Sequence, residues 1–134
     1  MIAKNNIFNI RANGAKWIGQ TGANKGFAEF DNREHGIRAW LVLMRTYRKK
    51  YDRATIRTIV ERFAPPKEND TEKYIRFCEQ QTGLGAETRL MFDNDYCLLG
   101  KALARMETGS NVIPSEILTV MYKFNIFPAG YGNF

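Results

Sequence analysis

The fold of this chain is decided at residues 26–41, which read GFAEFDNREHGIRAWL. Before this stretch the sequence is rich in asparagine and glycine, and after it apolar residues recur at helical spacing. The run from Phe27 to Phe30 is a strand candidate, and Asp31 or Asn32 can cap a helix that extends to about Lys50. The sequence therefore predicts a small β element followed by a mainly helical protein.

Residues 1–32 are predicted to form irregular structure and one β-hairpin. Ile7, Phe8 and Ile10 form the first strand candidate, and a loop rich in glycine and asparagine joins it to the second. Apolar spacing, caps and breakers such as Pro65-Pro66 predict four further helices, at about 54–64, 69–83, 95–107 and 115–125. We find no repeat or linker and expect one domain over residues 1–134.

The chain is basic, since 20 lysines and arginines outnumber 14 aspartates and glutamates and give a net charge of +6. Such a balance favours an anionic partner: nucleic acid, acidic polysaccharide, a membrane surface or the carboxylates of peptidoglycan. The charge is densest from Arg45 to Arg57, where a solvated helix end is the simpler explanation. Nucleic-acid binding is disfavoured because no helix-turn-helix, zinc or RNA-recognition motif accompanies the basic residues.

No targeting signal is apparent, because the first four residues lead directly into polar Asn5-Asn6 without an apolar segment. No run approaches the ~18 apolar residues of a membrane span. Cys78 and Cys97 are expected to be buried free thiols, and with a single histidine in the chain neither a metal site nor a cofactor is predicted. The sequence therefore assigns no localisation, and any export to the periplasm or cell wall would need another route.

Glu107 is the candidate catalytic acid. It ends the apolar fourth helix, in which Leu99, Leu103 and Met106 share one face. Partial burial and the negative end of the helix dipole both raise the pKa of such a carboxyl, as a general acid requires. The alternative is an exposed helix end paired with Arg105 or a lysine. Glu29 is a candidate second carboxylate for a two-carboxylate glycosidase.

Six residues are candidates for holding a sugar substrate: Asn5, Asn6, Asn9, Trp17, Phe30 and Tyr47. Asparagine side chains can bond the N-acetyl groups of a glycan, although they also favour turns. Trp17 lies in a polar stretch, where an apolar ring suits sugar stacking. Trp40 and Tyr47 fit the apolar stripe of their helix, so for both a core position is favoured over sugar stacking.

The chain resembles a family of small phage and prophage proteins usually labelled virion structural proteins. The shared features include the Asn-Ile-Arg opening at residues 9–11, Gly26 to Phe30, Gly36 to Ala39, Ala64-Pro65-Pro66 and Glu107-Thr108-Gly109. They occur in the same order along most of the chain. This resemblance implies a phage origin and other virion proteins as partners.

A second resemblance is to the lysozyme superfamily, particularly bacterial glucosaminidases and lytic transglycosylases. Those enzymes carry an Asn-Asn-x-Phe-Gly-Ile-Lys block, which residues 5–11 approximate with Asn9 in place of glycine. Their catalytic glutamate precedes that block, whereas Glu107 follows it here. A circularly permuted lysozyme-like domain would bring Glu107 beside the block in space.

The lysozyme resemblance implies a mainly α (α+β), lysozyme-like single domain, with circular permutation as the hypothesis just given, that cleaves the β-1,4 glycan of peptidoglycan, the bacterial cell-wall glycan. Glu107 would act as general acid, and Tyr74 would stabilise charge near the N-acetyl group of the substrate. The alternative is a non-catalytic phage-derived structural or glycan-binding module. A nucleic-acid-binding protein is the third and least favoured class.

Overall fold

The computed structural model describes residues 3–14, 16–50, 54–64 and 70–130. The elements in these ranges are β1 (Gln20–Asn24), β2 (Phe27–Phe30), α1 (Arg33–Lys50), α2 (Ile56–Phe63), α3 (Thr71–Thr82), α4 (Asp93–Thr108) and α5 (Pro114–Phe124). The predicted mainly helical α+β fold with one small hairpin is confirmed. The predicted breaker Pro65-Pro66 and the predicted cap Asn69 lie outside the described residues.

The hairpin pairs β1 with β2 in antiparallel register, from Gln20 opposite Phe30 to Asn24 opposite Phe27. Lys25 and Gly26 form the turn with φ angles of 53° and 86°, the left-handed conformation that tight hairpin turns favour. The prediction that Ile7 to Ile10 form the first strand is wrong. The first strand is instead the polar run Gln20–Asn24, whose composition resembles that of a loop.

The predicted strand residues lie along the outer edge of β2 without joining the sheet. Three backbone N–H groups cross this edge: Ala28 donates to Ile10 at 2.9 Å, Ala12 to Gly26 at 2.8 Å and Phe30 to Lys4 at 2.9 Å. Asn5 and Asn9 adopt positive φ angles of 59° and 54°, which interrupt an extended strand. The N-terminal segment, residues 3–12, is therefore fixed to the hairpin edge while turning twice.

The core joins the N-terminal segment to α1, α4 and α5. Phe8 stacks on Trp40 of α1 with ring centroids 4.6 Å apart, and both rings are fully buried. Gly100 permits this packing, because a Cβ there would lie 2.5 Å from Ile117 of α5 and 3.0 Å from Trp40. The core position considered for Trp40 is the observed one.

Local capping sets the helix boundaries that surround the hairpin. The Asn32 side chain accepts a bond from His35 N at 2.9 Å at the start of α1, whereas the Asp31 carboxylate contacts the His35 ring at 2.6 Å. Asn32 is thus the capping residue of the two that were considered. Gly109, in the left-handed conformation at φ 70°, ends α4 immediately after Glu107 and Thr108.

Two further predictions concern the cysteines and membrane-spanning helices. Cys78 and Cys97 are free and buried, as predicted. Among the helices in the described ranges, none combines the length and the apolar character that crossing a membrane requires.

Candidate functional site

A groove of about 520 Å³ opens between the N-terminal segment, the hairpin and the ends of α2 and α4. Its lining residues are Asn9, Ile10, Arg11, Asn13, Trp17, Phe27, Leu43, Tyr47, Arg62, Phe63, Ala64, Met106 and Glu107. The lining combines amides, aromatic rings and cations around one carboxylate. This mixture suits a polar ligand that also presents flat apolar faces, as a sugar ring does.

Both carboxylate oxygens of Glu107 accept hydrogen bonds. The Tyr74 hydroxyl donates to Oε2 at 2.8 Å, and the Asn9 amide donates to Oε1 at 3.3 Å. The same Asn9 nitrogen lies 3.1 Å from the backbone oxygen of Glu107. The shorter bond ties Oε2 to buried Tyr74 of α3, and the longer bond ties Oε1 to Asn9 of the N-terminal segment.

The end of α4 is held against the N-terminal segment by contacts distant in sequence. The Thr108 hydroxyl donates to the backbone oxygen of Ile7 at 2.8 Å, beside the bonds that link Asn9 to Glu107. Asn9 has a left-handed backbone conformation, and its side-chain amide lies over the end of α4. The structure therefore places Glu107 beside the block at residues 5–11, as the circular-permutation hypothesis requires.

The negative charge of Glu107 acts on two titratable groups of the core, Tyr74 and Cys78. Burial raises the pKa of the Tyr74 hydroxyl, and the negative charge of Glu107 raises it further. Burial, with a contribution from Glu107, also raises the pKa of the Cys78 thiol to about 12.

Three of the predicted substrate-binding residues line the groove: Asn9, Trp17 and Tyr47. Trp17 is half-buried, and its indole N–H lies 3.4 Å from the backbone oxygen of Arg11. Tyr47 is partly buried on α1 and contributes to both the core edge and the groove wall. The groove therefore brings together one amide and two aromatic rings of the predicted set with Glu107.

The other three predicted binding residues, Asn5, Asn6 and Phe30, are held by contacts within the protein. Asn6 is fully buried; its amide donates to the backbone oxygens of Ile10 and Ala28 at 2.9 and 2.7 Å, and its Oδ1 accepts from Ile10 N at 2.8 Å. Phe30 is also fully buried. Asn5 donates to the Phe30 backbone oxygen at 2.9 Å and is absent from the groove lining. Turn-forming contacts account for both amides.

The remaining two predicted site residues are Tyr74 and Glu29. Tyr74 is only 2% exposed, and its hydroxyl donates to Glu107. Glu29 lies on β2 opposite Gly22, and its side chain is not part of the groove lining. Among the described lining residues, Glu107 is the sole carboxylate, which argues against Glu29 as a partner in a two-carboxylate site.

Several lining residues were not identified from the sequence as site residues, among them Arg11, Phe27, Arg62 and Met106. Met106 was placed on the apolar face of α4, yet it is 36% exposed. Its position directly before Glu107 at the helix end was the one feature of the sequence that could have identified it as a groove residue. Arg62 carried no comparable signal, because exposed arginines near helix ends are common.

A second depression of about 490 Å³ meets the groove at Glu107. The two share Asn9, Phe27, Met106 and Glu107, and the second extends toward Asn24, Lys25 and Gly109. Glu107 therefore lies between two arms rather than at the bottom of a closed pocket. We call the larger the aromatic arm and the smaller the turn arm.

The opposite end of α4 carries a separate apolar groove of about 240 Å³, lined by Met91, Phe92, Asp93, Asn94, Leu118, Tyr122, Phe127 and Ala129. Phe92 is 66% exposed and Tyr122 is 55% exposed. In the described part of the chain, no group of three or more histidine, cysteine, aspartate or glutamate side chains could hold a metal ion.

No family model matches the chain. A search of curated proteins finds Protein P5 of Pseudoalteromonas phage PM2, which is 39% identical over 115 residues. The match covers 82% of this chain and 71% of Protein P5. This extent supports the predicted resemblance to a phage protein family, whereas the lysozyme resemblance remains a prediction. The chain belongs to the family of phage PM2 Protein P5.

Proposed function

We propose that this protein cleaves the β-1,4 glycan of bacterial peptidoglycan, with Glu107 as general acid. The observation that carries the proposal is the placement of Glu107 between two open arms, with Tyr74 bonded to one carboxylate oxygen at 2.8 Å. A general acid must be oriented by the protein and must also face the substrate. Glu107 has both properties, because Oε2 is held from the core and the residue lines both arms.

The proposed reaction begins with proton transfer from Glu107 to the glycosidic oxygen. The bond from the anomeric carbon to that oxygen breaks, and the leaving sugar departs with a new 4-hydroxyl group. The deprotonated carboxylate then accepts the proton of the attacking hydroxyl. When the attacker is the C6 hydroxyl of the same sugar, the product is a 1,6-anhydro end; when it is water, the product is a reducing end.

The single-glutamate, transglycosylase type is the form that the described lining favours. An enzyme with two catalytic carboxylates needs them about 5–10 Å apart across the scissile bond. Glu107 has no second carboxylate among the described residues of either arm. Trp17 and Tyr47 would then hold sugar rings in the aromatic arm, and Asn9 would contact both the acid and the ligand.

The direct test is digestion of purified peptidoglycan, with soluble fragments identified by mass spectrometry. We expect the wild type to release muropeptides with 1,6-anhydro ends, and Glu107→Gln to reduce release at least ~1,000-fold, since it removes the transferable proton. Glu61→Gln is the matched control, because Glu61 is exposed on α2 and does not line the groove. Folded wild-type protein that releases no fragments from several peptidoglycan types would contradict the proposal.

The competing proposal is a non-catalytic structural or glycan-binding module of a virion. The exposed apolar groove around Phe92 and Tyr122 favours it, since exposed apolar patches on proteins mark contact surfaces. Glycan binding that is equal in wild type and Glu107→Gln, without turnover in either, would support this alternative.

A further inference from the structure

A further depression, of about 330 Å³, lies between the end of α3, the exposed side of α4 and the loop that joins α4 to α5. It is lined by Gln81, Lys101, Arg105 and the loop residues 110–113. None of these described residues also lines the Glu107 groove, the turn arm or the apolar groove. We call this depression the loop pocket, and it has no part in the proposed cleavage.

The loop pocket is cationic, and its described lining includes no acidic side chain. Lys101 and Arg105 lie one turn apart on α4, both are exposed, and neither forms an ion pair within the part of the chain that the structure describes. Like charges at this spacing repel each other. Glu116, which follows the loop on α5, is already paired with Arg33 at 2.7 Å. An anionic ligand in the loop pocket would therefore offset a repulsion that the protein leaves uncompensated.

Two arginines hold the loop that forms the wall of this pocket. Arg105 donates from Nη1 to the backbone oxygen of Gly109 at 3.3 Å and to Oδ1 of Asn111 at 3.2 Å. Arg33 of α1 donates to the backbone oxygen of Asn111 at 2.5 Å. Nε and Nη2 of Arg105 donate to no group among the described residues. The guanidinium is thus held in place while two of its donors remain available, which lowers the cost of ordering it around a ligand.

The same loop gives the pocket an apolar rim. Ile113 is 60% exposed, whereas the preceding Val112 is buried. Ile113 occupies the N-cap position of α5, where its side chain makes no capping bond. A volume of about 330 Å³ is at the small end of ligand cavities and suits a few side chains better than a whole large ligand. The pocket therefore combines two cations with one exposed branched side chain in a small space.

We propose that the loop pocket docks an acidic segment of a partner protein, in which carboxylate side chains adjoin a branched apolar residue. The carboxylates meet Lys101 and Arg105, and the apolar side chain lies against Ile113. Arginine suits this role because its planar guanidinium bonds both oxygens of a carboxylate through two donors. A nucleic-acid strand fits less well, because its repeating phosphates favour an extended stripe of cations and leave Ile113 without an apolar partner.

The test is an NMR titration of isotope-labelled protein with three blocked tetrapeptides. The first is acetyl-Asp-Leu-Asp-Leu-amide, the second has asparagine in place of aspartate, and the third has serine in place of leucine. At low salt we expect the first to bind ~10-fold more tightly than the second, and ~3-fold more tightly than the third. The first ratio should shrink at about 0.5 M salt, because salt screens exposed charges. Equal dissociation constants for the first two peptides, or no binding of any peptide, would overturn the proposal.

Substitutions in the pocket assign the binding to its residues. Lys101→Gln and Arg105→Gln should each weaken binding of the first peptide ~3-fold or more, and Arg105→Lys should retain part of the affinity. Ile113→Ser should abolish the preference for leucine over serine, and serine is a favourable N-cap for α5. Lys49→Gln is the matched control, since it removes one exposed charge from α1 outside the pocket. A Lys101→Gln, Arg105→Gln double variant that is folded by circular dichroism and binds as the wild type does would contradict the assignment.

Two further results separate this proposal from its alternatives. A thymidine oligonucleotide of the same charge that displaces the acidic peptide at equal concentration would overturn a peptide ligand in favour of general anion binding. Lys101→Gln should leave peptidoglycan cleavage at the wild-type level, because Lys101 lines neither arm around Glu107. Docking of the peptide by a protein that cleaves no peptidoglycan would retain the loop-pocket proposal and reject only the proposed catalysis.

Discussion

The two ends of α4 differ in how they are held and in what they present. At the C-terminal end, hydrogen bonds from Asn9 and Tyr74 fix Glu107, and Thr108 bonds to the backbone of Ile7. At the N-terminal end, Phe92 and Tyr122 expose apolar surface. The ends are roughly 20 Å apart at 1.5 Å per helical residue. One end thus has the properties of a chemical site, and the other those of a contact surface.

This difference shows that long-range polar bonds, rather than local helix chemistry, create the candidate site. A glycine in the left-handed conformation, Gly109, ends α4, as glycines end many other helices. This local feature does not orient the Glu107 side chain. The orientation comes from the N-terminal segment and from α3. Disrupting those partners should therefore affect the Glu107 end of α4 far more than equivalent changes at the Phe92 end.

The largest expected effect on stability comes from Asn6→Ala. This substitution removes the side chain that bonds Ile10 N and Ala28 O inside the core, leaving both backbone groups buried without that partner. We expect the free energy of unfolding to fall by about 3 kcal/mol in urea denaturation. Asn94→Ala, at the exposed apolar end, should change it by less than ~0.5 kcal/mol. Similar losses in the two variants would remove the distinction between the ends.

Tyr74→Phe tests whether the fixed carboxylate oxygen matters for both stability and chemistry. Loss of the hydroxyl leaves Glu107 Oε2 without its 2.8 Å donor, at a cost of about 2 kcal/mol in unfolding free energy. Cleavage of peptidoglycan should decrease ~10-fold in kcat with little change in KM, since Tyr74 is buried and positions the acid. Tyr122→Phe is the control. A rise in KM alone would indicate a role in substrate binding.

Two buried thiols should make the free energy of unfolding depend on alkaline pH, and each of them is sensitive to the carboxylate at one end of α4. Burial raises the pKa of Cys78 and of Cys97 from an ordinary 9.0 to about 12, with Glu107 contributing at Cys78 and Asp93 at Cys97. Above pH 9 the unfolded chain ionises its thiols while the folded state keeps them protonated. The free energy of unfolding should therefore fall as pH rises from 9 toward 12, by about 1.4 kcal/mol per thiol at pH 10.

Denaturation of single-thiol variants separates these contributions. Adding Glu107→Gln to Cys97→Ala should reduce the alkaline loss that remains at Cys78, because it removes a nearby negative charge. The same addition to Cys78→Ala should leave the loss at Cys97 unchanged. An equal response in the two backgrounds would show that the charge of Glu107 does not act locally on Cys78.

Much of the helical framework could be predicted because its signals are local. The structure places α4 at Asp93–Thr108, close to the predicted 95–107, because Leu99 and Leu103 supply a strong apolar stripe. The strand at Gln20–Asn24 could not be found in this way, since its pairing with Phe27–Phe30 gives it order that its composition does not show. Ile7 and Ile10 were mistaken for a strand because buried irregular chain and a short strand can share one apolar pattern.

The candidate site was predictable only in part. Glu107 and Asn9 were both identified, and their contact depends on folding that joins residues 98 apart in sequence. From the sequence, Asn6 and Phe30 looked equally suited to bind a ligand. In the structure the Asn6 amide bonds backbone oxygens and the Phe30 ring is buried in the core. Sequence alone does not distinguish an amide that bonds the backbone from one that faces a groove, because the residue type and the turn-rich surroundings are the same.

The smallest expected effect, from Phe92→Ser, tests whether the apolar end is independent of the groove. Phe92 is 66% exposed and is the N-cap of α4, where serine is a better capping residue, so replacing it should lower the free energy of unfolding by no more than ~0.5 kcal/mol and leave glycan cleavage unchanged. Met106→Ser is the matched change at the other end, where Met106 adjoins Glu107 in both arms, and it should raise KM several-fold. Parallel measurements of thermal stability and peptidoglycan digestion check both expectations. Reduced cleavage in Phe92→Ser would show that the two ends of α4 are coupled, because none of the described residues lines both the apolar groove and either arm.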